Sequence, residues 1–186
     1  DLSQDSWRNI VENQSIMYCV GIPETNEMLC GSSIQGGSSA IPTETEAFVV
    51  HWDCEAEEVV HSLQPVPEIT SYGRMVRADT GIIYGLAGSQ YYAYDPVERE
   101  VLMTGDLPGG RVHFPGLHDV PVGGLIYGLA DDKVFAIDPA DHSVAVVAEH
   151  ESLARAHGFT VTDEGVLYYG SGPWLWRCDL TPDGNG

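Results

Sequence analysis

The apolar positions of this chain fall in short runs of four to seven residues, rich in β-branched and aromatic side chains and bounded by Gly, Asp-Pro and Pro-Gly. Runs of that length, stopped by residues that favour turns, predict strands. The 3.6-residue spacing of an amphipathic helix is sustained nowhere, so an all-β chain is expected. Around residues 114–150 the pattern resolves into four strands, His118–Val122, Leu125–Leu129, Val134–Asp138 and Ser143–Ala148. Gly123-Gly124, Asp131-Asp132 and Pro139-Ala140-Asp141 join them, and connections that short specify an antiparallel meander.

The meander recurs along the chain. Gly81-Ile82-Ile83-Tyr84-Gly85-Leu86-Ala87 returns as Gly124-Leu125-Ile126-Tyr127-Gly128-Leu129-Ala130, with 43 residues between Tyr84 and Tyr127. Gly165-Val166-Leu167-Tyr168-Tyr169-Gly170 follows after a further 41 residues. A second motif keeps the same interval: Val49-Val50-His51-Trp52-Asp53, Tyr91-Tyr92-Ala93-Tyr94-Asp95, Val134-Phe135-Ala136-Ile137-Asp138 and Leu175-Trp176-Arg177-Cys178-Asp179. Four-stranded units of about forty residues are the pattern of β-propeller blades, whose sheets bury their faces against one another. One propeller, or a segment of one, is expected over residues 1–186, with blades at 7–63, 72–106, 114–150 and 156–180.

Over roughly residues 7–180 the pairing of G-x-[IL]-Y-G-L with [FY]-x-[IY]-D-P resembles the blades of bacterial β-propeller repeat proteins, loosely similar to the kelch, YncE-type and WD40-like propellers. That resemblance implies the fold and leaves the activity open, because lyases, hydrolases, dehydrogenases and pure binding modules share it. Trp52-Asp53 alone does not make a WD40 assignment, since its counterparts are Tyr94-Asp95, Ile137-Asp138 and Cys178-Asp179 and no Gly-His precedes it at blade spacing.

Both ends of the repeat array depart from the pattern. With Ser15–Val20 taken as the second strand of the first unit, Tyr18 stands in the place of Tyr84 and residues 21–46 read as a long insertion before the third strand. Its Gly31–Ser39 stretch is rich in Gly and Ser, which leaves backbone amides open to a ligand, and long loops on rigid scaffolds often carry binding. The last unit reaches residue 186 before a fourth strand. An open sheet edge calls for a partner, so the ring is expected to be completed by an N-terminal strand, by missing blades or by another chain as a homo-oligomer.

Composition narrows the partners. In 186 residues, 28 Asp and Glu face 8 Lys and Arg, for a formal charge of −20 and a pI near 4.3. Such a field repels phosphate backbones and anionic lipid, so neither nucleic acid nor a membrane surface is an expected partner. No apolar stretch approaches the ~18 residues of a membrane span. A soluble, extracytoplasmic or secreted protein is expected from this acid-rich, lysine-poor balance. Cys19, Cys30, Cys54 and Cys178 lack the CxxC spacing of a zinc or redox site. A Cys19–Cys30 disulfide is open to the chain in an oxidising compartment, with buried free thiols the commoner state.

The repeated aspartates Asp53, Asp95, Asp138 and Asp179 read as turn residues, because they recur in every unit and three are followed within three residues by proline. The first strand of a blade lines the channel, and nine residues before each tyrosine stand Asn9, Met75, His118 and Phe159. His118 alone among these has ionisable chemistry. Arg74, Arg111, His113 and His157 lie close to the same strands and form the candidate channel-mouth constellation. Arginine there suits a carboxylate, and histidine a proton shuttle near neutral pH. His113, His118 and His157 are also candidate ligands to a divalent metal ion. Trp174, after Gly172-Pro173, is a candidate exposed binding residue. The preferred function is a scaffold binding a small molecule, glycan or protein at the channel mouth or through the 21–46 insertion. The alternative is a polysaccharide lyase or glycan-processing hydrolase acting on an acidic sugar polymer, with His118 as general base and Arg74 or Arg111 neutralising the substrate carboxylate.

Overall fold

The computed structural model describes residues 10–180, apart from 12, 36–40 and 111 and the side chains of 113–115. The described residues form four antiparallel sheets, each assembled in sequence order. The first comprises β1 (Ser15–Ile22), β2 (Glu27–Ser33), β3 (Val49–Asp53) and β4 (Glu58–Leu63). The second holds β5 (Tyr72–Arg77), β6 (Ile83–Ala87), β7 (Gln90–Asp95) and β8 (Glu100–Asp106). In the third are β9 (Val112–Leu117), β10 (Ile126–Ala130), β11 (Lys133–Ile137) and β12 (Val144–Glu149). The fourth has three strands among the described residues, β13 (Ala156–Val161), β14 (Val166–Ser171) and β15 (Trp174–Asp179), after a 3-10 helix at Glu151–Arg155. The chain divides into two compact units, residues 1–72 and 73–186.

The first unit corrects the strand assignment at its start. Ser15–Val20 belongs to the first strand, and the second, Glu27–Ser33, falls inside the 21–46 segment expected to be an insertion. Leu29, not Tyr18, holds the place of the repeated tyrosine: it faces His51 as Tyr84 faces Ala93. Met28-Leu29-Cys30 carries neither the tyrosine nor the following glycine, so the repeat motif passes over a strand that burial of Leu29 and Cys30, both at 0 % exposure, nonetheless secures. The true excursion is 34–48, between β2 and β3. Its described ends are tied down: Phe48 N donates to Ser32 Oγ at 2.8 Å and Ala47 N to the Ile69 carbonyl at 2.7 Å. The Gly36–Ser39 part, proposed to approach a ligand, lies outside the described residues. Beneath the sheet, the fully buried His51 meets Glu27 through Nδ1 and Oε2 at 2.5 Å.

In the second unit the strands expected at Leu125–Leu129, Val134–Asp138 and Ser143–Ala148 appear within a residue of those bounds. The first strand of that sheet does not: it is Val112–Leu117, and His118–Val122 is the turn after it. Pro121 has no N–H for a ladder, and Gly123 and Gly124 take φ of +59° and +83°, so the chain reverses there. The repeated Tyr-Gly-Leu has a steric reason. Gly85 pairs with Tyr92 and Gly128 with Phe135, and a Cβ on either glycine would lie 2.2 Å from the facing ring. The glycine leaves the space the cross-strand aromatic fills. The aspartates turn the chain as expected: Asp95 Oδ1 accepts from Val97 N and Glu98 N, and Asp138 Oδ1 from Ala140 N at 2.8 Å.

Neighbouring sheets of this unit pack face to face. Tyr84, Leu86, Tyr91 and Ala93 meet Ile126, Ala130, Phe135 and Ile137, while Tyr127, Leu129 and Val134 meet Val161, Leu167 and Tyr169. The Tyr84 hydroxyl reaches His142 Nδ1 at 2.6 Å and Tyr91 donates to the His142 carbonyl at 2.7 Å, so two tyrosines of one sheet hold the β11–β12 turn of the next.

Candidate functional site

Two of the residues singled out near the inner strands meet. His118, just past β9, lies over Phe159 of β13 with ring centroids 6.0 Å apart, and Arg74 of β5 forms an ion pair with Asp119. Of the other positions counted from the repeat, Met75 is buried at 6 % exposure and Asn9 lies outside the described residues. Arg111 and the His113 side chain are also outside the described residues. His157 is exposed on β13.

Both ring nitrogens of His118 have partners. Its Nδ1 faces the Val120 carbonyl at 2.9 Å, an acceptor only, so Nδ1 carries the proton. Nε2 then accepts from the Thr160 hydroxyl at 3.2 Å. Arg74 already faces the Asp119 carboxylate rather than a cleft. Among the described residues no group of three or more His, Cys, Asp and Glu side chains is placed to hold a metal ion.

A better-formed site lies at the other side of the fourth sheet. The β14–β15 hairpin turns at Gly172-Pro173, with Gly172 at φ +59°, and faces the 3-10 helix Glu151–Arg155 across a cleft of about 400 Å³. A chain of hydrogen bonds sets its floor. The His150 ring caps the helix by accepting from Ser152 N at 3.2 Å, which puts the ring proton on Nε2. Ser152 Oγ lies 2.7 Å from His150 Nδ1 and 2.6 Å from the Tyr169 hydroxyl, and Ser171 Oγ donates to the Ser152 carbonyl. Trp176 forms one wall, stacked on Tyr169 at 6.1 Å and 9° and tilted against His150 at 5.2 Å. On its other side lies a second, largely apolar cavity of about 270 Å³ lined by Val134, Leu153, Leu167 and Cys178.

Two features make this cleft chemically unfinished. The Trp176 indole N–H is buried and has no hydrogen-bond partner among the described residues, a state that costs about 1–3 kcal/mol until an acceptor arrives. Trp174 and Leu175 stand 68 % and 77 % exposed, although Val134, the counterpart of Leu175 one unit earlier, is fully buried. Arg155 brings a cation to the rim. Trp174 was legible from its place after Gly172-Pro173. Trp176 reads from repeat spacing as packing alone, and it both packs and lines the cleft. His150, Ser152 and Arg155 come from a connection between sheets that carries no motif, so only folding brings them beside β15.

No protein-family model matches the chain, and no curated protein does. Solved structures do. The β-propeller domain of Cps50 (Swd1) from Myceliophteria thermophila superposes with a TM-score of 0.62 at 12 % identity, covering 92 % of this chain and 55 % of that one. The WD40 repeats of RRP9 give 0.62 at 14 % identity over 87 % of this chain and 46 % of theirs, and the WD40 β-propeller domain of Doa1 gives 0.62 at 14 % over 88 % and 50 %. The chain thus spans about half the length of the structures it matches. No helix of the described residues is long and apolar enough to cross a membrane. At these identities the likeness speaks for architecture alone, and that architecture, antiparallel meanders packed sheet against sheet, is the β-propeller.

Proposed function

We propose that this protein is a propeller scaffold that binds an extended segment of a protein partner at the cleft between the 3-10 helix and the β14–β15 hairpin. The buried, unpartnered Trp176 N–H beside the exposed Trp174 carries this reading. A main-chain carbonyl of the incoming segment completes the indole donor, an apolar side chain covers Trp174 and Leu175, and a carboxylate meets Arg155. Tryptophans half out of water next to a preformed pocket are the residues that dominate interface energetics. Backbone groups along the outer edge of β15 offer the same segment a strand to pair with.

Panning a random peptide display library against the protein, with counter-selection on the Trp174→Ala variant, tests it. The expected result is an enriched peptide that shifts the Trp176 indole N–H resonance. Its affinity should fall about tenfold or more in Trp174→Ala and several-fold in Trp176→Phe, which keeps an aromatic ring and removes the donor together with part of the indole. Peptides that bind both variants as well as the parent would overturn the proposal. So would a concentration-dependent dimer abolished by Trp174→Ala, because a second copy would then be the occupant.

A further inference from the structure

The pairing of β1 with β2 sets Cys19 directly opposite Cys30. Directly opposed residues of an antiparallel pair have Cα atoms about 4.5–5.5 Å apart, inside the window a disulfide spans. Their sulfurs lie 3.1 Å apart, so a bond of about 2.05 Å needs roughly 1 Å of approach. The two thiols differ in access: Cys19 is exposed, and Cys30 is buried at 0 % exposure. No other pair of cysteines among the described residues is in such contact. Cys54 is exposed, and Cys178 Sγ faces the Asp179 carbonyl at 3.7 Å.

We infer that Cys19 and Cys30 form a thiol-modification site, at which a low-molecular-weight disulfide of the glutathione type reacts at Cys19 and Cys30 then closes an intrachain bond across β1 and β2. The 3.1 Å contact with the Cys30 sulfur holds the Cys19 thiol down to about 7, against desolvation that raises it, which favours the thiolate there. The same contact, with burial second, pushes Cys30 far up and keeps it protonated until Cys19 has reacted. In the first step the Cys19 thiolate attacks one sulfur of the reagent, its S–S bond breaks, and one small thiolate leaves. That modification removes the negative charge beside Cys30. Cys30 then gives its proton to the departed thiolate, and its sulfur attacks Cys19, expelling the second small thiol. Two protein thiols are oxidised to one disulfide and one small disulfide is reduced to two thiols. The bond locks the hairpin from which the 34–48 excursion departs.

Treating the intact chain with excess oxidised glutathione, alkylating the remaining thiols and mapping peptides by mass tests this. Cys19 and Cys30 should both lose their thiols, retain no glutathione, and appear as a Cys19–Cys30 linked peptide. Cys30→Ser should instead retain one glutathione at Cys19, and Cys19→Ser should take up none at Cys30. Cys30→Ala repeats the trapping experiment with an apolar replacement should serine at this buried place unfold the sheet. Parent protein that keeps the adduct on Cys19 with Cys30 still free would overturn the inference. Linkage of Cys30 to Cys54, disulfide-bonded dimers, or equal glutathione uptake by Cys19→Ser would do the same.

Discussion

Gly128→Ala and Gly170→Ala make the same chemical change at two glycines of strands β10 and β14, and the structure assigns them opposite signs. A Cβ at Gly128 would stand 2.2 Å from Phe135 Cζ and 2.7 Å from both Cε atoms. The ring must retreat by roughly 1.2 Å to reach ordinary contact, yet Phe135 is fully buried among Tyr84, Leu86 and Ile137, with no solvent to swing into. Overpacking of that kind costs about 1–3 kcal/mol, against about 0.4–1 kcal/mol returned by restricting the unfolded chain. The net loss should be about 1.3 kcal/mol. At a urea m-value of ~2 kcal/mol/M, the midpoint falls by about 0.6 M. Gly170 has nothing within 4 Å of the added atom, so there only the unfolded-chain term acts and the midpoint rises slightly, by about 0.2 M. Urea unfolding of both variants, followed by circular dichroism, measures the contrast. Adding Phe135→Leu to Gly128→Ala should reveal a favourable coupling of about 1 kcal/mol, because the smaller side chain vacates the contested space. Equal midpoints for the two alanine variants, or additive behaviour of the pair, would refute the claim that glycine serves the facing ring.

Two further outcomes follow from buried groups. Burial pushes the hydroxyls of Tyr72 and Tyr84 up to about 12, whereas an unfolded tyrosine titrates near 10. The native state therefore holds protons that the unfolded chain has lost. Stability is intact below pH ~10 and falls between about pH 10 and 12, by up to about 1.4 kcal/mol per pH unit for each residue. Tyr72→Phe combined with Tyr84→Phe should flatten that slope in denaturation measured across this window, and an unchanged slope would assign the alkaline loss to other groups. Glu27→Ala strips the carboxylate from the fully buried His51 and should destabilise by about 3 kcal/mol, as removal of one partner from a buried pair does. A loss below about 1 kcal/mol in the same unfolding assay would show that the pair contributes little.

Local information is repeated four times in this chain, and what it governs is legible without coordinates. Apolar runs and tight Asp and Gly turns set strand order and antiparallel direction wherever a hairpin closes within a few residues, as most do outside the 34–48 excursion. Period alone identifies the blade. Where no repeated residue marks a strand, as at Met28-Leu29-Cys30 or around Pro121, strand assignment slips, although Leu29 and Cys30 are fully buried. The cleft is of that second kind. His150, Ser152 and Arg155 stand about twenty residues from Trp174 and Trp176 in a connection with no repeated pattern, and they become neighbours only when the fourth sheet packs on the third. The same holds for chemistry: whether a histidine offers a lone pair, or a cysteine meets another sulfur, depends on the atoms that folding sets within 3 Å or so of it, and no spacing along a chain specifies those.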